Sequence, residues 1–545
     1  MIDSKKLLSV LPVLVALATG CSSASGTADG SYDDENGSGT DGGFPGGTSG
    51  ASSASGFTTD DGDSAASDGG DDPSGGTGGG APDTGDDGQE PDDSGQEPDE
   101  GSTGEGTSTG EPVCDDQTPV ELFLSPDDSN SMSSPVQVRN AVLSGWSSLS
   151  SAPIRPWEFL NYYSFDYPAA PEGELALHTS LLQAEGDAEG EFKLQIAVAS
   201  PSMMAADRAK MNITLVLDES GSMSGSPMEL QQETCRVIAG SLRTGDIVSM
   251  VGWDTANATI LAAHDVTGPN DSVVLDACNG LEAGGGTDLH GGLVAGYELA
   301  DQSFDESRIN RIVLMSDGGA NAGITDEEII AQYAGSNDQD GIYMVGVGVG
   351  DESYNDQLMD HVTDIGKGAS VYIDSEAEAQ KIFGDRFLST MAVSARDVQV
   401  RLDMPPGFEI VKFSGEEFSA DPTEIEPQHL APNDAMVFHQ TIATCAPELA
   451  AEDAEITVTA RFKDAVTFEQ REITQTITFA DLLSEPDPML LKGAAIFEYA
   501  EALKALRDEG DEAAIAAALE TLAAAETALP EDGDLAEIRQ VLEAL

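Results

Sequence analysis

Apolar runs and helical periodicity alternate without interruption between Met211 and Thr390. The runs predict strands at 212–217, 246–253, 258–263, 309–315, 342–348 and 369–373. Helices are expected at 226–242, 270–281, 288–301, 325–334, 353–363 and 375–391. This pattern admits few folds. Strand, helix and strand in repeated succession give parallel strands with right-handed crossovers, so the class is α/β, a doubly wound, mostly parallel sheet. The turn around Asp254 to Asn257 is too short for a crossover and suits a hairpin. Ligands of such sheets sit outside the carboxyl ends of the strands, where strand order reverses.

Oxygen-bearing side chains collect at that edge. Ile213 to Leu217 ends in Asp218-Glu219-Ser220-Gly221-Ser222, and Met228 to Leu242 follows as a helix. Gly284-Gly285-Gly286-Thr287-Asp288 lies at a loop-to-helix junction. Ser316-Asp317-Gly318 closes the apolar run from Arg311 to Met315. The three segments, in this order, resemble the metal-ion-dependent adhesion site of von Willebrand factor type A domains, over roughly Met211 to Thr390. The resemblance implies a Rossmann-like fold and a divalent cation. Ser220, Ser222 and Thr287 would ligate it through hydroxyls, and Asp218 and Asp317 directly or through water. Mg2+ is the expected ion, with Mn2+ or Ca2+ as alternatives, since hard cations take oxygen ligands. A shell with few anionic ligands leaves the ion electrophilic, with one position open to an acidic side chain of a partner protein. Asp288 is expected to brace its loop. Helix 375–391 is where affinity switching would act in the resembled family.

Charge narrows the choice of partner. The chain has 99 acidic and 24 basic residues, a formal net charge of -75. Such a surface repels nucleic acid and anionic lipid. A cation at the contact point would invert that sign locally. No strand-to-helix turn carries Gly-x-Ser-x-Gly, and neither His-Glu-x-x-His nor Gly-x-x-x-x-Gly-Lys occurs, so no enzyme is expected. The six histidines are scattered and read as ordinary surface or core residues.

At the N-terminus, Lys5 and Lys6 precede an apolar core, Leu7 to Leu17, too short for a stable membrane span. Ala18-Thr19-Gly20-Cys21 resembles a bacterial lipobox, which would make Cys21 the lipidated first residue of a cell-envelope protein, with Ser22 compatible with the outer membrane. The alternative is a plain signal peptide that ends near a cysteine. Residues 22–113 are dominated by Gly, Ser, Thr, Asp, Glu and Pro, and no Lys or Arg occurs between Lys6 and Arg139. That composition cannot offset its ordering entropy and reads as an extended acidic tether.

A module at 114–205 follows. Helices are expected at 138–149 and 155–163 and strands at 175–182 and 192–199. Ile154-Arg155-Pro156-Trp157-Glu158-Phe159-Leu160, continuing to Pro168, resembles the N-terminal module of a bacterial subgroup of type A proteins often called YfbK-like. Asp127-Asp128-Ser129-Asn130-Ser131 repeats the Asp-x-Ser-x-Ser pattern without partner loops, and reads as a polar turn capping the next helix. The type A domain is assigned to 206–394. From 395 to 480 the period becomes two and predicts a β-sandwich, completed by strands of the 175–199 stretch. Residues 481–545 read as a helical hairpin or small bundle. With Cys21 lipidated, Cys114, Cys235, Cys278 and Cys445 allow three disulfide pairings. In the resembled fold the helices carrying Cys235 and Cys278 share a sheet face, which favours Cys235–Cys278 and Cys114–Cys445. The functional expectation is metal-dependent protein binding; the alternative is a structural envelope protein whose metal only stabilises the fold.

Overall fold

A computed structural model describes residues 114–545 apart from 116, 127–129, 145–148, 185–189, 321–340, 351–353, 451–452 and 484–486. The 1–21 and 22–113 segments with Cys21, most of the second Asp-x-Ser-x-Ser and the helix expected at 325–334 lie outside the described residues. The chain opens with β1 (Val120–Ser125), α1 (Ser133–Arg139), α2 (Pro156–Tyr162), β2 (Ala176–Gln183) and β3 (Glu191–Ala199). The alternating region supplies β4 (Met211–Asp218), α3 (Ser226–Ser241), β5 (Ile247–Trp253), β6 (Asn257–Asp265), α4 (Ser272–Asn279) and α5 (Leu289–Gln302). It continues with β7 (Ile309–Ser316), β8 (Tyr343–Val349), α6 (Asp356–Ile365), β9 (Ser370–Ile373), α7 (Glu376–Gln380) and α8 (Phe387–Met391).

These six strands form one sheet in the order β6-β5-β4-β7-β8-β9. All neighbours are parallel except the β5–β6 hairpin. β4 is buried along its whole length, and successive side chains face opposite layers. Ile213, Leu215 and Leu217 meet Ile238 of α3 and Val274 of α4. Val216 meets Leu293 and Tyr297 of α5 and Leu358 of α6. Gly292 is what lets α5 come close, because a Cβ there would lie 2.5 Å from the Trp253 ring. The helix expected at 375–391 is broken: a π-turn, Lys381–Asp385, separates α7 from α8. Gly384 lies inside that turn, with the Gln380 amide where a Cβ would go.

The strands that follow are β10 (Ala395–Met404), β11 (Phe408–Phe413), β12 (Glu417–Ser419), β13 (Gln428–Leu430), β14 (Ala435–Thr444), β15 (Glu455–Asp464) and β16 (Gln470–Thr478). They do not make the sandwich alone. One sheet runs β12-β1-β10-β15-β16, with β13 beside β10; the other runs β11-β14-β3-β2. Leu124, Val400 and Val458 of the first meet Leu194, Phe438 and Ile442 of the second in one apolar core. Strands from 114–205 and 395–480 therefore build a single sandwich.

The C-terminal helices are α9 (Phe479–Leu482), α10 (Pro488–Glu509), α11 (Glu512–Ala528) and α12 (Gly533–Ala544). Asp487 caps α10, Pro488 starts it, and Gly510 ends it at φ 70°. His439 of β14 is sealed near Phe497 of α10, and its Nδ1–H donates to Gln195 Oε1 at 2.9 Å. Burial, with help from Lys193, pushes its pKa down to about 3. The folded state thus holds a neutral imidazole whose unfolded pKa is about 6.5, so stability is full above 6.5 and falls with pH below it, by up to about 1.4 kcal/mol per unit. Melting temperatures between pH 6.5 and 4.5 should fall less steeply in His439→Gln than in the native chain.

α1 starts five residues earlier than its expected helix. Its first turn is capped from a distance: Glu158 accepts from Ser134 N at 2.5 Å and from Ser133 Oγ at 3.1 Å. The second Asp-x-Ser-x-Ser does not cap it. Met132 is the N-cap without a side-chain bond, and Ser131 Oγ instead accepts from Ser370 N at the edge of β9. Disulfides join Cys114 to Cys445 and Cys235 to Cys278. The second closes a separation of 43 residues between the buried Cys235 in the middle of α3 and the buried Cys278 in the last turn of α4. Loop-closure entropy assigns that bridge about 4 kcal/mol, so Cys235→Ser with Cys278→Ser should lower the melting temperature while non-reducing peptide maps keep the Cys114–Cys445 fragment.

Candidate metal centre

β4 and β7 lie side by side, so their ends deliver Asp218 and Asp317 to one place. Asp218 is fully buried and Asp317 is 2% exposed. Asp218 Oδ1 accepts from Ser220 N at 2.8 Å, and its Oδ2 from Ser316 Oγ at 2.6 Å, which ties the first loop to the third. Ser220 Oγ and Ser222 Oγ are 3.0 Å apart. The second loop is stitched to the first by Gly284 N to Glu219 O, 2.6 Å, and Gly221 N to Gly285 O, 3.3 Å. Gly285 takes φ 78° with the Asp254 carboxylate 2.3 Å from where a Cβ would sit, so only glycine fits that turn.

Thr287 is buried at the same edge. A Cβ placed on Gly319 would lie 3.2 Å from Asp317 Oδ1 and 3.9 Å from Thr287 Oγ1, so these two oxygens converge. Asp288 caps α5 by accepting from Gly291 N at 3.0 Å. All five sequence-derived residues, Asp218, Ser220, Ser222, Thr287 and Asp317, thus lie on one edge of the sheet. The floor is buried, while Gly221, Ser222 and Gly285 form an exposed lip.

Electrostatics mark the floor. Among the described residues no Lys, Arg or His lies within salt-bridge distance of Asp218 or Asp317. Burial first, and the neighbouring Asp317, push the Asp218 carboxyl up to about 7 against the hydrogen bonds from Ser316 and Ser220. Buried carboxylates need a compensating charge. No three His, Cys, Asp or Glu cluster among the described residues, so a cation here would draw on hydroxyls as well as on two carboxylates. Such a neutral-rich oxygen set fits Mg2+, which keeps some water and binds few carboxylates.

Sequence reasoning gave no role to three residues. Ser316 Oγ, besides holding Asp218, accepts from Gly318 N at 3.0 Å. Gln231 Nε2 donates to Asp218 O at 2.8 Å from within α3. Glu219 lies across β5, in the space that Gly252 leaves open, and accepts from Glu282 N at 3.3 Å. The Ser-Asp-Gly spacing signals Ser316; Gln231 is an ordinary helix position with no local signal.

The fold and this edge define a class. Residues 212–385 match the model of the von Willebrand factor type A domain, and this part of the chain is such a domain. The chain is similar to the uncharacterized protein YfbK of Escherichia coli K12, 27% identical over 264 residues, which are 47% of this chain and 45% of that one. It is also similar to the uncharacterized protein sll0103 of Synechocystis, 26% identical over 221 residues, 41% of this chain and 51% of that one. It therefore spans about half the length of these relatives. Among solved structures, a von Willebrand factor type A protein from Catenulispora acidiphila aligns with 70% of this chain and 91% of its own, at 18% identity and a TM-score of 0.42.

Proposed function

We propose that the chain binds a protein partner through a Mg2+ held by Asp218, Ser220, Ser222, Thr287 and Asp317. Domains of this family commonly mediate metal-dependent protein–protein contact. The observation that carries the reading is the pair of buried carboxylates, Asp218 and Asp317, without a basic partner among the described residues and joined to a hydroxyl-lined edge with an exposed lip. The metal would supply a Lewis-acidic point to which an acidic side chain of the partner adds. The chain's own residues fix the loops, bury the floor and leave the lip accessible. No catalytic role belongs to this reading.

The reading extends to location. Cys21 would carry lipid, anchoring the chain in the cell envelope at the outer membrane, with 22–113 as the tether. Pull-downs from envelope extract test this. A partner retained with Mg2+ and released by EDTA is expected; retention that survives both chelation and Asp218→Ala would favour a structural role for the metal.

A further inference from the structure

Arg311 is a charged residue in an otherwise apolar strand. It lies near the start of β7, about 16 Å along the strand from Ser316 and the metal edge. Its side chain is 6% exposed. Nε donates to Met391 O at 2.9 Å, and the guanidinium stands over the Tyr343 ring at 5.1 Å. Arg396 occupies the same ring at 5.2 Å, so a second cation is close. Among the described residues no carboxylate lies within ion-pair distance of Arg311. Buried arginines are normally paired, because an uncompensated buried charge is costly.

His429 meets Tyr343 edge-on at 5.0 Å. Asp397 N donates to its Nδ1 at 3.3 Å, so Nδ1 is the acceptor and Nε2 carries the proton. That Nε2–H is buried and has no hydrogen-bond partner among the described residues. Arg311 and His429 line one cavity of about 60 Å³, together with Asn130, Asn161, Lys367 and Asp434. Asp434 is its acidic lining residue; burial holds that carboxyl above the usual range, and it accepts from Ala435 N at 2.9 Å. At about 10–15 Å³ per water, the space suits four or more waters, or one tetrahedral anion with four oxygens.

We propose that this cavity is a binding site for a small tetrahedral oxyanion, inorganic phosphate or sulfate, which accepts from the Arg311 guanidinium and from His429 Nε2–H. Charge-assisted bonds from a planar guanidinium suit such an anion. Net charge opposes anion entry over most of the surface, but Arg311 and Arg396, with no ion-pair partner among the described residues, put positive charge beside the cavity, while Lys367 pairs with Glu426 at 3.6 Å and Asp397, 3.9 Å from His429 Nδ1, pairs with Lys463. The lining comes from three parts of the chain: the type A domain, through its strand starts and the end of α8, the N-terminal module, through Asn130 and Asn161, and the sandwich residues from His429 to Met436. An anion there fastens the joint between the sandwich and the type A domain. This site is independent of the metal edge.

The test is calorimetric titration of the full chain with inorganic phosphate at constant ionic strength, with EDTA present and Mg2+ absent. One saturable site per chain is expected. Arg311→Met should weaken it at least about tenfold, since it removes the charged donor. His429→Phe fills the cavity without removing a formal charge from the native state, and should weaken it comparably; if Arg311→Met does not fold, His429→Phe decides. No saturable uptake by the native chain at millimolar phosphate, uptake unchanged in His429→Phe, or a site that takes chloride and refuses phosphate would each overturn the proposal.

Discussion

Asp218→Asn is expected to abolish Mg2+ uptake and at the same time raise the melting temperature of the metal-free protein. The two effects have one cause. Asp218 is fully buried, its neighbour Asp317 is also an acid, and no basic side chain among the described residues compensates either. Without metal, an ionised carboxylate in that position opposes folding, and removing its charge should return about 1–3 kcal/mol. The amide keeps an acceptor for Ser220 N, while its NH2 faces Ser316 Oγ, which can accept. Native protein should gain about 2.7 kcal/mol when Mg2+ is at a hundred times its dissociation constant, and the variant nothing. Thermal melts of both proteins with EDTA and with Mg2+ check this. A variant less stable than native protein in EDTA would mean that Asp218 serves only as a structural acceptor.

Asp246→Ala should be the most damaging single change outside the metal edge. Arg208 is 1% exposed and Asp246 fully buried, paired at 3.0 and 2.5 Å through both guanidinium nitrogens. Asp246 also accepts from Met211 N at 2.9 Å and Arg243 N at 2.8 Å, so it fixes the entry of β4 and the turn into β5. Truncation leaves a buried guanidinium and two backbone donors without partners. Breaking one side of a buried pair costs about 3–5 kcal/mol. Denaturant unfolding should show that loss, with Mg2+ affinity retained in the folded fraction, because Asp246 stands at the opposite end of the strands from Asp218. Replacing Arg208 and Asp246 together by apolar residues should recover part of the loss.

What could be read from the chain follows how local each cause is. The type A sheet was legible because β4 and β7 are continuous apolar runs, the mark of strands buried on both faces. The metal edge was legible because hydroxyls and carboxylates sit directly after those runs. The single sandwich was only half legible. β1 pairs with Met404 to Val400, nearly 280 residues downstream in sequence, and no local pattern announces such a partner. The start of α1 was missed for a similar reason: its cap is Glu158, from another helix. The π-turn at Lys381–Asp385 depends on packing and leaves helical periodicity intact in the sequence. Arg311 was legible only as the first residue of the run to Met315, and it is the fold that closes it in.

The most direct measurement is calorimetric titration of the full chain with Mg2+ at neutral pH after removal of metal. One ion per chain is expected, with binding lost in Asp218→Asn and weakened in Thr287→Ala, whose hydroxyl is the oxygen that the second loop brings to the edge. A native chain that takes up neither Mg2+ nor Mn2+ at millimolar concentration would contradict the reading of these three loops as a cation site.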